Sequence, residues 1–456
     1  MDTITSAFVP EAAHWSHQQW SGVDLGDVRL ERRTVEIGTQ MALSPGASLP
    51  QQMEGWAQLK AAYRLLNNPK VSHERLSEPH WIATREEAAA ERVVLLVQDA
   101  SELDYSRYVD TMEGLGPVGN EKGCGLLLHT TLAVVPEPRY VLGIAHQQVF
   151  KRVSIPEGEP RRRRPKEERE SRVWGEAVRA IGPLPQGTRW VVVTDRAGDH
   201  TDFLLTCREE GVDFNVRMAY EHRLVTDEPA YLLTTARSWP PVVGKTIEIR
   251  GRGGRPARQA HLLISFGCVR LRVPKGKEPL RVWVVRAWEV DAPPDVEPVE
   301  WILATSVPVE TADDALERLT WYTARWLVED YHQCLKTGCE IEHRDFEHAD
   351  RIKRLLGFLA PIAVRLLQLR EDARLNPELP ATTLVDPLTV TILATRLGVP
   401  VAEITVQAFW RGVAGLGGFI GRRRDGQPGW KTLWRGWLYL QTLVEGVRLA
   451  ASLPDT

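Results

Sequence analysis

The chain has 456 residues and a formal net charge of −3. A chain of this length is too long to fold around one ordinary hydrophobic core, so we expect two or three domains. The near-neutral total excludes a uniformly basic protein, although arginine and lysine are bunched at 161–166, 250–258 and 421–424. Such runs bind polyanions or simply form solvated loops, so charge alone does not identify a partner.

The five cysteines form no CxxC pair and are odd in number, which argues against a disulfide framework or a zinc site. The first residues, MDTITSAFVPEAAHW, lack a basic start followed by an apolar run. No stretch approaches the roughly eighteen apolar residues of a membrane span. We therefore expect a soluble, reducing, cytoplasmic protein.

The first half of the chain changes from a helical to a mixed pattern. Residues 1–75 have helical periodicity and are predicted to form a small basic module. Three predicted strands follow between 92 and 150, at least partly antiparallel, and then a charged helix at about 166–181. The run RWVVVTD predicts another buried strand, and HTDFLLTCREEG a helix that Asp199 caps.

The second half contains a predicted β-rich insertion at about 221–300, a further core strand, and one long helix from an N-cap at Thr311 to Gly338. Helical patterns continue to the end of the chain. The fold class is therefore α/β with helical flanks. We predict domains at 1–75, 76–375 and 376–456.

Asp99 and Asp195 each follow a hydrophobic run, at the predicted carboxyl ends of strands where α/β sheets collect ligands. Either one alone fits a turn or capping residue equally well. Two acids in comparable positions favour a shared site.

A third acid lies in the segment YTARWLVEDYHQCLKTG, residues 322–338. Wound as an α-helix, this segment places Tyr322, Arg325, Glu329 and Lys336 within about 60° of one another. The simple interpretation is a solvated face with an i,i+4 ion pair between Arg325 and Glu329. The alternative is that Glu329 joins Asp99 and Asp195.

Three converging carboxylates repel one another, which raises at least one pKa unless a cation is bound. Oxygen ligands suit Mg²⁺ or Mn²⁺. Two such ions, roughly 3.5 to 4 Å apart, activate a water or a 3′-hydroxyl against a phosphodiester.

The order of the three acids and the spacing Y-x2-R-x3-E-x6-K resemble the DDE transposases of cut-and-paste insertion sequences, of the IS-four group and the Tn-five type. The resemblance extends along the chain through LGD at 25–27, AYRLLNNPKVS at 62–72, RPAR at 255–258, IAVRLLQLRE at 362–371, LGGF at 416–419 and WKTLWRGW at 430–437.

The resemblance implies an RNase H-like catalytic core with a β-rich insertion and two Mg²⁺ ions, which Mn²⁺ replaces, held by Asp99, Asp195 and Glu329. It also implies binding of transposon ends and target DNA, and a homodimer in the synaptic complex, with contacts from the C-terminal helices. The implied DNA-binding residues are Tyr322, Arg325, Lys336, Trp301, Arg29, Arg33, Arg64, Arg255 and Arg258. Trp301 would stack on a flipped base during hairpin formation, unless it is a core residue.

Leu30, Leu43 and Ala47 replace basic residues of the Tn-five type, so we expect a different end sequence. Arg29, Arg33 and Arg64 also fit ordinary exposed helix charges. Two other functions are considered: a catalytically silent DNA-binding relative and a general RNase H-like nuclease. The intact acid triad argues against the first, and the end-binding module and Trp301 argue against the second.

Overall fold

The computed structural model describes residues 12–119, 122–153, 169–226, 230–249, 258–294, 296–422 and 428–452. The basic run at 161–166 and most of the run at 250–258, including Arg255, lie outside these residues. Among the described residues, no helix combines the length and apolar character needed to cross a membrane.

Helices form the N-terminal region, as predicted. They are α1 (Ala12–Trp20), α2 (Val28–Leu43), α3 (Leu49–Gln52), α4 (Trp56–Leu66) and α5 (His73–Ala89). Capping side chains fix two of the starts: Asp27 accepts a hydrogen bond from the Arg29 amide, and Ser72 accepts one from the Arg75 amide.

One mixed sheet of ten strands forms the centre of the described chain. Its strands are β1 (Val93–Asp104), β2 (Gly116–Val118), β3 (Gly123–Val135), β4 (Tyr140–Phe150), β5 (Arg189–Thr194), β6 (Asp213–Arg217), β7 (Val243–Ile249), β8 (Arg258–Leu271), β9 (Leu280–Val290) and β10 (Glu300–Thr305). The order is β2-β3-β1-β5-β6-β10-β9-β8-β7, and β4 also pairs with β3, along Leu127–Val135.

Strands β1, β5 and β6 are parallel, and the antiparallel pairs β1–β3 and β6–β10 flank them. Helices α6 (Arg172–Ile181) and α7 (Thr201–Glu209) pack on one face, and α8 (Leu232–Ser238) packs near β8 and β9. The predicted β-rich insertion does not form a separate sheet, because β9 pairs with β10 and extends the central one.

The long helix predicted from Thr311 begins as expected but is interrupted. Thr311 caps α9 (Ala312–Thr323) through a reciprocal capping box with Asp314. The amides of Ala324 and Arg325 then bond three residues back, which tightens the turn before α10 (Trp326–Gln333). A π-helical turn, Cys334–Gly338, follows directly.

The C-terminal part is helical: α11 (Ala349–Leu375), α12 (Pro387–Leu397), α13 (Val406–Leu416) and α14 (Trp430–Ser452). A separate apolar core joins the last three helices, with Phe409 and Leu440 fully buried in it. The Arg344 guanidinium donates to backbone oxygens of Pro45 and Ala47, and so ties the N-terminal region to the segment after α10.

The prediction that Asp199 caps α7 was wrong. His200 is the N-cap, and its ring accepts from the Phe203 amide. Asp199 instead accepts from the amides of Ala219 and Tyr220, at 2.7 Å each, and forms a buried ion pair with Arg223. It therefore fastens the loop after β6.

Candidate active site

Asp99 lies within β1 and not at its end, because β1 continues to Asp104 through its pairing with β3. The parallel pairing of β1 with β5 stops earlier, at Val97 opposite Val193. Asp99 therefore stands just past the point at which β1 and β5 part. The predicted strand end was wrong for β1 as a whole, but correct for its parallel portion.

Asp195 directly follows β5 and lies two residues beyond Val193, just as Asp99 lies two residues beyond Val97. The shared register brings both acids to the same edge of the parallel strands. The Oδ1 atom of Asp195 accepts a hydrogen bond from the Ala197 amide at 2.8 Å, which fixes this carboxylate in a short turn.

Arg325 connects Glu329 to this pair. Its Nη1 lies 2.7 Å from Oε1 of Glu329 and 3.6 Å from Oδ2 of Asp99. Arg325 and Asp99 are mostly buried, whereas about a third of the Glu329 side chain is exposed. The predicted i,i+4 pair exists, but it is part of a three-residue cluster that joins α10 to β1.

Burial and neighbouring charges shift the pKa of Asp99. Burial raises the pKa of Asp99 from 3.8 to about 7; the Arg325 charge opposes this rise, and the charges of Asp195 and Glu329 add to it. The expected rise from carboxylate repulsion is present, although burial is the larger cause.

The donor set fits a hard divalent cation, since three carboxylates supply oxygen ligands at an edge that solvent reaches through Glu329. Within the described part of the chain, however, no group of three or more His, Cys, Asp or Glu side chains is arranged around one cation position. One nitrogen of Arg325 already contacts both Asp99 and Glu329, so a bound metal would compete with Arg325 for these carboxylates.

The other residues of the signature lie around this cluster. Tyr322 is buried in α9, with 4% of its surface exposed, and its ring lies under the Arg325 guanidinium. Lys336, in the π-helical turn, donates to the Glu102 carbonyl and pairs with Glu342 at 3.1 Å. Of the signature residues, Arg325 and Lys336 carry the positive charges, and a phosphate would compete with their carboxylate partners for them.

Trp301 occupies β10 and is 7% exposed. Its ring meets those of Tyr322 and Trp326 edge to face, with centroids 5.3 and 6.1 Å away. In this conformation the indole is a core residue beside the cluster. A base can stack on the indole only if the rings of Tyr322 and Trp326 move away from it.

The predicted end-binding arginines lie on two N-terminal helices. Arg29 is almost fully exposed and pairs with Asp27, and Arg33 pairs with Glu36 at 2.8 Å. Arg64 is exposed on α4. Sequence reasoning missed Trp56, which is 74% exposed, and Lys60 on the same helix. The signal was their i, i+4, i+8 spacing with Arg64, which places the three on one face.

Arg258 is not available for DNA in this structure. It forms a two-point ion pair with Glu289 across β8 and β9, and the Glu289 side chain is 2% exposed. A phosphate would have to displace that carboxylate. Arg255 lies outside the described residues.

Two family models match the chain, one at each end. A model described as transposase DNA-binding matches residues 12–71, which include α2 and α4. A model described as the transposase Tn5 dimerisation domain matches residues 361–456, from within α11 onward. The chain therefore has DNA and a second copy of itself as partners. Together the matched ends and the mixed α/β core support the assignment of this chain to the Tn5-type transposases of the IS-four group, a family with transposition activity that generally uses divalent metals.

Proposed function

We propose that this protein is a metal-dependent cut-and-paste DNA transposase whose chemistry is carried by Asp99, Asp195 and Glu329. The observation that supports this most is the placement of the acids: Asp99 and Asp195 stand at one register of β1 and β5, and Arg325 contacts both Asp99 and Glu329. The proposed regions are 1–75 for end binding, 76–375 for catalysis and 376–456 for dimerisation.

The three carboxylates would hold two Mg²⁺ ions, or Mn²⁺ in their place. When bound, such ions activate a water or a 3′-hydroxyl and stabilise the leaving oxygen of a phosphodiester. Burial, together with the charges of Asp195 and Glu329, raises the pKa of Asp99, and a bound cation would offset the part of this rise that comes from the neighbouring carboxylates.

Arg325 would exchange a carboxylate for a DNA phosphate. Its guanidinium is planar and suits both ligands, so the change replaces one charge-assisted contact with another. Lys336 would make the same exchange with Glu342. DNA binding would in this way free the acids for the metal.

The proposed reaction order is nicking at each transposon end, attack of the freed 3′-hydroxyl on the other strand to form a hairpin, hairpin opening, and strand transfer to target DNA. Trp301 would support the hairpin by stacking on an extruded base. Stacking would require the buried indole to move away from Tyr322 and Trp326, whose rings it meets edge to face.

End recognition would use the exposed face of α4. Trp56, Lys60 and Arg64 repeat every four residues and are all exposed, within the region that the DNA-binding model matches. Lysine and arginine would neutralise phosphates, and the indole would contact sugar or base edges. Arg29 and Arg33 on α2 would extend this surface.

The dimer would use α14. Three of its apolar side chains, Tyr439, Val447 and Leu449, are between 44% and 66% exposed in the single chain. A second copy would cover them.

The test uses DNA that carries the inverted repeats flanking the gene. The protein should nick both ends only when Mg²⁺ or Mn²⁺ is present, and Ca²⁺ should support end binding without cleavage. Undiminished cleavage in excess chelator would refute the metal assignment.

A further inference from the structure

A buried hydrogen-bond network lies beside the acid cluster and is not part of the chemistry described above. It begins in the sheet, where Asp99 of β1 pairs with Thr130 of β3, and Thr130 pairs with Gln147 of β4. Directly opposed residues on neighbouring strands project from the same face. Asp99, Thr130 and Gln147 therefore form one row across three strands.

Helix α10 docks on this row through two consecutive residues. The Gln147 amide Nε2 donates to Thr130 Oγ1 at 3.0 Å and to Tyr331 Oη at 2.8 Å. Thr130 Oγ1 also lies 3.2 Å from His332 Nε2. Thr130 and Tyr331 are 0% exposed, and Gln147 is 1% exposed.

These contacts determine where Glu329 lies. Tyr331 and His332 follow Glu329 within one turn of α10, so a helix fixed at these two residues has a fixed position at Glu329. The other end of the network is Thr130, the cross-strand neighbour of Asp99. The network therefore connects α10, which carries Glu329, to the strand that pairs with Asp99.

We propose that Thr130, Gln147, Tyr331 and His332 are positioning residues: they fix α10 against the sheet, and so hold Glu329 where it joins Asp99 in binding a divalent cation once Arg325 has released both carboxylates. This inference rests on the proposed function. Burial supports it, because a hydrogen bond in a site without water has few competing partners and so restricts orientation more than an exposed one. Residues that hydrogen-bond directly to metal ligands change metal affinity by about ten- to a hundredfold, and a network that acts through the position of α10 should have an effect at the lower end of that range.

The test uses two substitutions that remove one oxygen each and preserve shape, Tyr331→Phe and Thr130→Val. Thr130→Ser keeps the hydroxyl and serves as the rescue variant. Thr84→Val is the matched control, because Thr84 is a buried threonine of α5 whose hydroxyl bonds to the His80 carbonyl, away from α10.

Three quantities are measured for each protein bound to end DNA: the Mn²⁺ concentration that half-saturates nicking, the calorimetric dissociation constant for Ca²⁺, and the affinity for the end itself. Tyr331→Phe and Thr130→Val should raise both metal constants about tenfold and leave end affinity unchanged. Thr130→Ser and Thr84→Val should match the parent in all three.

The proposal is overturned if both metal constants stay at the parent value in Tyr331→Phe and Thr130→Val, whatever happens to the melting temperature. It is equally overturned if Thr84→Val raises the metal constants as much as they do. If the parent itself neither binds Ca²⁺ nor needs Mn²⁺ for nicking, the proposed function fails first, and that result is recognisable without any variant.

Discussion

Arg325 and Glu329 form an ion pair one helical turn apart, 2.7 Å between Nη1 and Oε1, and the same nitrogen reaches toward Asp99. The guanidinium of Arg325 thus supplies the positive charge between these two acids. Arg325→Ala should lower the free energy of unfolding by about 2 kcal/mol, because it leaves charged partners without their hydrogen bond.

The same variant should respond more to metal. Without the competing guanidinium, Ca²⁺ should raise the melting temperature of Arg325→Ala by more than it raises that of the parent. Thermal melts with and without Ca²⁺ measure this difference, and Arg33→Ala is the control, since Arg33 pairs with Glu36 on exposed α2. An equal shift in parent and variant would show that Arg325 does not compete with the metal.

Trp301 permits a prediction that separates packing from base stacking. Trp301→Phe keeps an aromatic face and Trp301→Leu does not, although both leave part of the buried volume empty. Both should therefore lose stability, by roughly 1 to 3 kcal/mol. Only Trp301→Leu should slow the hairpin relative to the first nick. A ratio of the two rates that is equal in both variants would confine Trp301 to packing.

The exposed face of α4 should contribute affinity in two distinguishable ways. Lys60→Ala should weaken binding to every sequence and reduce the slope of log affinity against log salt by about one. Trp56→Ala should weaken binding to the end sequence without changing that slope. Binding across a salt series gives both numbers, and an unchanged affinity in both variants would remove this face from the interface.

His80 predicts sensitivity to acid. Its Nε2 accepts from the Ile144 amide at 3.1 Å, and its Nδ1 lies 2.8 Å from Gln19 Oε1, so the buried ring is satisfied in its neutral form. Burial lowers its pKa from 6.5 to about 4. Between pH 6.5 and pH 4, His80 is protonated in the unfolded chain but neutral in the folded one. The contribution of His80 to the free energy of unfolding is therefore fully present above pH 6.5 and is lost as the pH drops toward 4.

The cost at the acid end is roughly 3 kcal/mol for this histidine alone. Urea unfolding at several pH values should show a shallower decline for His80→Gln, which cannot titrate, than for the parent. Parallel curves would place the acid sensitivity elsewhere.

Local sequence patterns accounted for several of these features. Hydrophobic runs located β1 and β5, and the acids that follow their parallel portions are separated by the same two residues from Val97 and Val193. The N-cap at Thr311 was also predictable, because a capping box is a local signal. Such features depend on neighbours in sequence.

Other features depend on contacts between distant residues, and the sequence carried no local signal for them. The break between α9 and α10 occurs without Gly or Pro, through tightened bonds at Ala324 and Arg325. Neutralisation of Arg258 by Glu289 depends on the pairing of β8 with β9. Likewise, the link from Thr130 to His332 joins residues that only the folded sheet brings together.

The central claim is that Glu329 acts through its charge at the site and not as a solvated helix residue. Glu329→Gln preserves size and removes that charge, and Glu317→Gln is the matched control on α9, where Glu317 is half exposed beside Arg318. The most direct measurement is strand nicking at saturating end DNA and Mg²⁺, together with end affinity, for both variants. The account predicts that Glu329→Gln loses nicking by orders of magnitude and keeps end binding, while Glu317→Gln matches the parent in both. Nicking by Glu329→Gln at the parent rate would contradict it.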